Sequence, residues 1–269
     1  MAFTYKHVVI VGIDGAGNFY RKDENCAPNI RKLMEIGYSC DTCLTAVPTD
    51  SAQCWATMLM GVTSKIHGLH NDKLSAATST LATEEHPTIY RMIRRARPNA
   101  RMGCFSNWSP IITGLLDDEQ TVTATCDDGP LCDRICDYVK AEKPNFLFIQ
   151  FDSVDGAGHA HGYGSENHLA QINICDGYAD RIYNACAEAG ILEDTLFIIT
   201  ADHGGSGRGH GSDTDEEKWI FVAMEGKTIR KGQISFMQVK DFPAIVAHAL
   251  GIPADPNWMS HIPEGLFTE

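Results

Sequence analysis

No stretch of this sequence carries five consecutive basic residues. With 22 Lys and Arg against 35 Asp and Glu, the formal net charge is −13. The basic face that a nucleic-acid polymer requires is therefore missing. Uninterrupted apolar runs fall well short of the roughly eighteen residues that a membrane-spanning helix needs. The N-terminal MAFTYKHVVIVGIDGAG also lacks the small-residue cleavage pattern of a signal peptide. Together these absences lead us to expect a soluble, cytoplasmic protein that engages neither a nucleic-acid polymer nor a membrane; they leave its oligomeric state open. An acidic chain still binds phosphate locally where metal ions supply the positive charge.

The ten cysteines follow no repeating spacing. Cys40-Asp-Thr-Cys43 is a lone C-x-x-C without the second pair that a structural zinc site uses, so the cysteines read as reduced, small hydrophobes. Repeats, low-complexity tracts and linkers are lacking too. A chain of 269 residues that is 43% hydrophobic can then bury one full core, and we expect a single domain over residues 1–269.

What is present alternates. Short apolar runs at 7–13, 38–46, 101–106, 121–125, 146–151, 195–200 and 218–224 read as strands. Several are continuous in Val, Ile, Leu and Phe, as strands covered on both faces are. Helical segments lie between them at 28–37, 51–60, 87–96, 130–142, 167–190 and 239–250. The expectation is an α/β fold with a mostly parallel central sheet and helices on both faces. Segments 61–86, 106–120 and 205–216 read as loops over the sheet edge, with a small cap or none.

Three strong runs end in a carboxylate: VVIVGI in Asp14, FLFIQFDSV in Asp155, and LFIITA in Asp202. The carboxyl ends of parallel strands share one edge, where ligands bind, so these residues should converge. Alone they would repel one another. Imidazoles accompany them, however: His159 four residues after Asp155, His203 beside Asp202, and His210 across Gly204-Gly-Ser-Gly-Arg-Gly. Carboxylates and imidazoles together suit divalent cations. The glycines let the chain fold back until His210 reaches a metal.

Within VPTDSAQCWATMLMG, Asp50 and Gln53 resemble a capping box, which puts Ser51 at the positive end of a helix. A metal-bound hydroxyl there would ionise readily and attack phosphorus. Thr49 is a nearby competitor.

The ordered set GIDG, PTDSAQCWATMLMG, HGLHN, DSVDGAGH, TADHG and GHG resembles the alkaline phosphatase superfamily, and within it the nucleotide pyrophosphatase/type I phosphodiesterase group. The resemblance implies two divalent metal ions, zinc first and manganese second. Asp155, His159 and His210 would bind one; Asp14, Asp202, His203 and Ser51 would bind the other. Ser51 would be the nucleophile of a covalent phosphoseryl mechanism, and Asn71 would hold a phosphate oxygen. Many members carry threonine where this chain has Ser51, and the Ser51–Asn71 spacing is about a residue shorter here.

His67 is assigned a structural role, and His161 and His168 solvent-facing ones. The substrate expected is a small phosphoester. Diesters, nucleotides or phosphonates are favoured over monoesters because no Arg lies near Ser51 or Asn71 in sequence; Arg208 is the sole nearby candidate. Trp108 could stack a base, and Trp55 reads as core. The alternatives are a monoesterase or phosphonate hydrolase, or a sulfatase, although residues 51–55 lack the Pro and Arg of a C/S-x-P-x-R motif. A phosphoglycerate mutase would need an inserted domain that the chain is too short to hold. Outside catalysis, a metal-bound binding protein is the rival.

Overall fold

The computed structural model describes residues 4–233 and 236–268. The continuous apolar runs form strands buried along their whole length: β1 (His7–Ile13), β5 (Phe146–Phe151) and β6 (Thr195–Ala201) expose no residue. The other strands are β2 (Tyr38–Leu44), β3 (Met102–Ser106), β4 (Val122–Ala124), β7 (Trp219–Glu225), β8 (Gly232–Gln233) and β9 (Met237–Gln238). All join one sheet in the order β4-β3-β5-β1-β6-β7-β2-β8, with β9 also on β2. Every pairing is parallel except those of β7 with β6 and β2.

The helices are α1 (Pro28–Ile36), α2 (Ser51–Met60), α3 (Ser64–His67), α4 (Asn71–Ser75), α5 (Ile89–Ala96), α6 (Asp128–Glu142), α7 (Ser153–His161), α8 (Glu166–Glu188), α9 (Asp215–Lys218) and α10 (Phe242–Leu250). They form two sets: α1, α6 and α7 pack on α8, while α3, α4 and α10 pack on α2. Helices therefore cover the sheet on both faces, as expected for an α/β fold. No helix among the described residues is long and apolar enough to cross a membrane.

Two departures from the sequence reading are instructive. Residues 153–161 form helix α7 although Gly156 and Gly158 dilute its helical signal. Its start is held from outside, because Asp128 on α6 accepts from the Asp152 and Ser153 N–H groups at 3.1 and 3.0 Å. The segment 61–86 contains α3 and α4 rather than continuous loop, and 106–120 contains a π-helical turn at Ile111–Leu115. Cys40 and Cys43 both point inward because a bulge between them breaks the two-residue alternation.

Candidate active site

Strand order explains why the carboxylates meet. β1 lies between β5 and β6, with Ile13 in register with Phe151 and Ala201. The next residues, Asp14, Asp152 and Asp202, therefore leave three adjacent strands side by side. Asp155 stands one turn further along α7. β2 runs parallel to these strands, so the connection after it brings Ser51 to the same edge, at the first position of α2.

Ser51 Oγ lies 3.1 Å from His203 Nε2 and 3.4 Å from Asp14 Oδ1. His203 Nε2 is also 3.3 Å from Asp14 Oδ1 and 3.4 Å from Asp202 Oδ2. His159 Nε2 is 3.1 Å from Asp155 Oδ2, and His210 Nε2 is 3.7 Å from Asp155 Oδ1. The imidazoles of His203 and His210 stack at 4.0 Å between centroids. The glycine run makes these approaches possible: a Cβ on Gly204 would fall 2.0 Å from the Glu216 carbonyl.

The histidines share one orientation. His203 Nδ1 donates to the Gly204 carbonyl at 2.8 Å, His210 Nδ1 to that of Thr49 at 2.7 Å, and His159 Nδ1 to that of Arg208 at 2.9 Å. A carbonyl only accepts, so each Nδ1 carries the proton and each Nε2 turns a lone pair towards the carboxylates. Burial and neighbouring His203 lower the His210 pKa, which keeps that imidazole neutral. Asp202 Oδ2 is buried and accepts no hydrogen bond. Burial raises the carboxyl of Asp14 well above the usual range, aided by Asp202 and Asp155, and burial does the same for Asp202. Apart from the Ser51 hydroxyl, which donates to Asp14 Oδ1, these lone pairs face carboxylate oxygens directly, an arrangement that a cation stabilises.

Among the described residues, two donor groups have atoms mutually within 4.8 Å: Asp14, Asp202 and His203, and Asp155, His203 and His210. His203 is common to both. His159 approaches Asp155 from the exposed side and belongs to neither group at that distance. The donor chemistry of these residues fits divalent cations.

Asn71, the first residue of α4, uses Oδ1 to accept from Ala52 N at 2.9 Å. Its amide NH2 is the group left for a ligand. This contact replaces the expected capping box, since the Asp50 side chain makes no capping bond. Thr49 is not a free competitor for Ser51: it is fully buried, donates to Glu217 Oε2 at 2.6 Å and accepts from Gly211 N at 2.9 Å.

Trp55 is core and fully buried, yet its Nε1 donates to Asp14 Oδ2 at 2.9 Å. His67 is structural, bonding Thr57 Oγ1 and Leu69 N; burial lowers its pKa to about 4. His161 is exposed. His168 corrects the expectation of a solvent-facing residue. It is fully buried between the Gly15 carbonyl, Gly164 N and the Phe19 ring, because the first turn of α8 packs under the β1 exit. Arg208 is exposed, and its carbonyl accepts from His159 Nδ1.

Sequence reasoning missed three contributors. Gln150 Nε2 donates to Asp14 Oδ2 at 2.9 Å and to Asp152 Oδ1 at 2.8 Å, and its signal was a single amide inside the apolar run FLFIQF. Glu217 is hidden in the acidic stretch DTDEEK, which reads as a solvated surface. Tyr163, which donates to Asp155 Oδ1, gave no signal. Its pKa is raised by burial and by Asp155, so it remains a donor.

This architecture and edge are those of an α/β chain of the alkaline phosphatase superfamily. More particularly, the chain belongs to the type I phosphodiesterase/nucleotide pyrophosphatase family, whose model matches residues 8–212. Its fold is similar to murine ectonucleotide pyrophosphatase/phosphodiesterase 5, with a TM-score of 0.80 at 15% identity over 96% of this chain and 97% of that one. An inactive threonine-to-alanine variant of the murine protein, in complex with AMP, matches at a TM-score of 0.79 and 14% identity over 97% of each chain. A 2-O GAG sulfatase matches at 0.78 and 14% identity over 96% of this chain and 73% of that one. No curated protein matches the sequence.

Proposed function

We propose that this chain is a two-metal phosphoester hydrolase of phosphodiesterase or nucleotide pyrophosphatase type, acting through a phosphoseryl intermediate on Ser51. One observation carries the reading: three imidazoles, each fixed through Nδ1, turn Nε2 towards carboxylates at the edge where the Ser51 hydroxyl lies. Asp14, Asp202, His203 and Ser51 would hold one cation, and Asp155, His159 and His210 the other, with His203 Nε2 standing between the sets. Zinc suits these donors, with manganese second. When bound, such cations stabilise developing oxygen anions and ease ionisation of a hydroxyl.

Ser51 Oγ attacks phosphorus from the N-terminus of α2 as the bond to the leaving oxygen breaks; the serine proton goes to solvent and the leaving oxygen takes one up. The Asn71 amide donates to an equatorial oxygen whose charge grows in the transition state. Water then cleaves the serine ester, restoring the hydroxyl and releasing the phosphate product.

Arg208 is exposed, so no fixed cationic side chain is assigned to the extra charge of a monoester. This favours diesters, nucleotides or phosphonates as substrates. Trp108 is the aromatic we assign to a base or aryl group. It is partly buried, and its backbone N–H donates to Gln150 Oε1, while Gln150 Nε2 bonds Asp14. Trp55 is sealed in the core and is excluded from that role. The sulfatase reading has likeness of fold alone behind it. The ten free thiols suit the reducing cytoplasm.

The test is acid quenching during turnover of bis-p-nitrophenyl phosphate, followed by mass mapping of the peptide around residue 51. A phosphate on Ser51 is expected. Turnover with no label there, and undiminished in Ser51→Ala, would remove the covalent mechanism.

A further inference from the structure

Tyr163 lies just beyond the last turn of α7 and is 8% exposed. Its hydroxyl donates to Asp155 Oδ1, the same oxygen that lies 3.7 Å from His210 Nε2. Its ring sits edge-on to the imidazoles of His159 and His210, at 5.7 and 6.3 Å between centroids. Two backbone segments are cut away to admit that ring: a Cβ on Gly158 would fall 2.5 Å from it, and one on Gly205 2.4 Å. Tyr163 N also donates to the Gly207 carbonyl at 2.8 Å, tying the helix that carries Asp155 and His159 to the loop that carries His210.

A ring that only filled this slot would need no hydroxyl. Here the hydroxyl is spent on a carboxylate that also faces two imidazoles. We infer that Tyr163 is a positioning residue for the subsite of Asp155, His159 and His210, its O–H fixing the plane of the Asp155 carboxylate. One carboxylate oxygen is engaged by the phenol, and the group keeps a single orientation towards the imidazoles. Hydrogen bonds of this kind to a ligating group govern how well it ligates. The inference deepens the two-metal reading and rests on it.

The test uses the full chain stripped of metal: wild type, Tyr163→Phe and Tyr163→Leu are titrated with Zn2+ against a competing chromophoric chelator. Wild type is expected to bind two ions. Both variants should keep one ion at wild-type affinity and bind the other about 10–100-fold more weakly. A ring that matters only for packing gives a different pattern, with Tyr163→Phe equal to wild type and Tyr163→Leu alone impaired; that result overturns the inference and leaves the two-metal reading intact. A wild type that binds no Zn2+ overturns both.

Discussion

The side chains to which we assign the chemistry stand out by identity: Asp14, Ser51, Asn71, Asp155, His159, Asp202, His203 and His210 all lie along one edge. What the sequence could not convey is their orientation, which is set by residues of ordinary type. Nothing in FLFIQF says that Gln150 will bridge Asp14 and Asp152, because the neighbour of a strand residue is decided by pairing far along the chain. Two predictions belong at this scale. Asn71→Ala removes both the acceptor for Ala52 N and the amide donor, costing about 0.5–2 kcal/mol of stability and about 10²–10³ in kcat. Asn71→Asp retains the acceptor, so unfolding and kinetics measured side by side should show wild-type stability with the same loss of rate. Gln150→Leu leaves the Asp14 carboxylate short of a donor; thermal unfolding should report a loss of about 1–3 kcal/mol.

Among the elements, α7 was the most difficult to read. Its DGAGH motif looks like a loop, yet Asp128 caps its first turn from α6, and a contact from a distant helix cannot be seen in a local pattern. The loop that returns His210 is likewise held by a residue outside the motifs. Glu217 is 3% exposed and accepts from Thr49 Oγ1, Ser212 N and Ser212 Oγ at 2.6, 2.7 and 2.6 Å. This straps the loop to the turn before Ser51. Burial would raise the Glu217 carboxyl, but hydrogen bonds from Ser212 and Thr49 outweigh it and bring the pKa to about 2, from an ordinary 4.5. A folded value below the unfolded one means that the strap stabilises at pH above 4.5 and fades as pH falls towards about 2. Glu217→Gln should therefore melt below wild type at neutral pH, with the gap closing across that acid range. A gap that stays constant down to the acid limit would contradict this role.

For the whole molecule, the class of fold was legible because apolar runs and helical segments alternate. Strand order was not, since β7 runs against its neighbours and β8 and β9 have only two residues each. That order is nonetheless what makes the site, because β5-β1-β6 adjacency brings the carboxylates together. Convergence has a cost in the metal-free chain. Asp14 and Asp202 have folded pKa values above their ordinary 3.8, so stability falls as pH rises past that value and the buried groups lose their protons. Zn2+ at 100 times its dissociation constant should restore about 2.7 kcal/mol per site, roughly 5–10 °C in unfolding temperature for a chain of this size. The difference between chelated and zinc-loaded protein should widen as pH rises above 3.8. Calorimetry in matched buffers would show it.

The most direct measurement of the central claim is zinc stoichiometry together with hydrolysis of bis-p-nitrophenyl phosphate and p-nitrophenyl phosphate, for wild type and Ser51→Ala. Two ions per chain are expected in both proteins. Wild type should turn over the diester ahead of the monoester, and the variant neither. Metal bound without turnover of either ester would instead favour a binding protein, and a chain that binds no divalent metal would contradict the site.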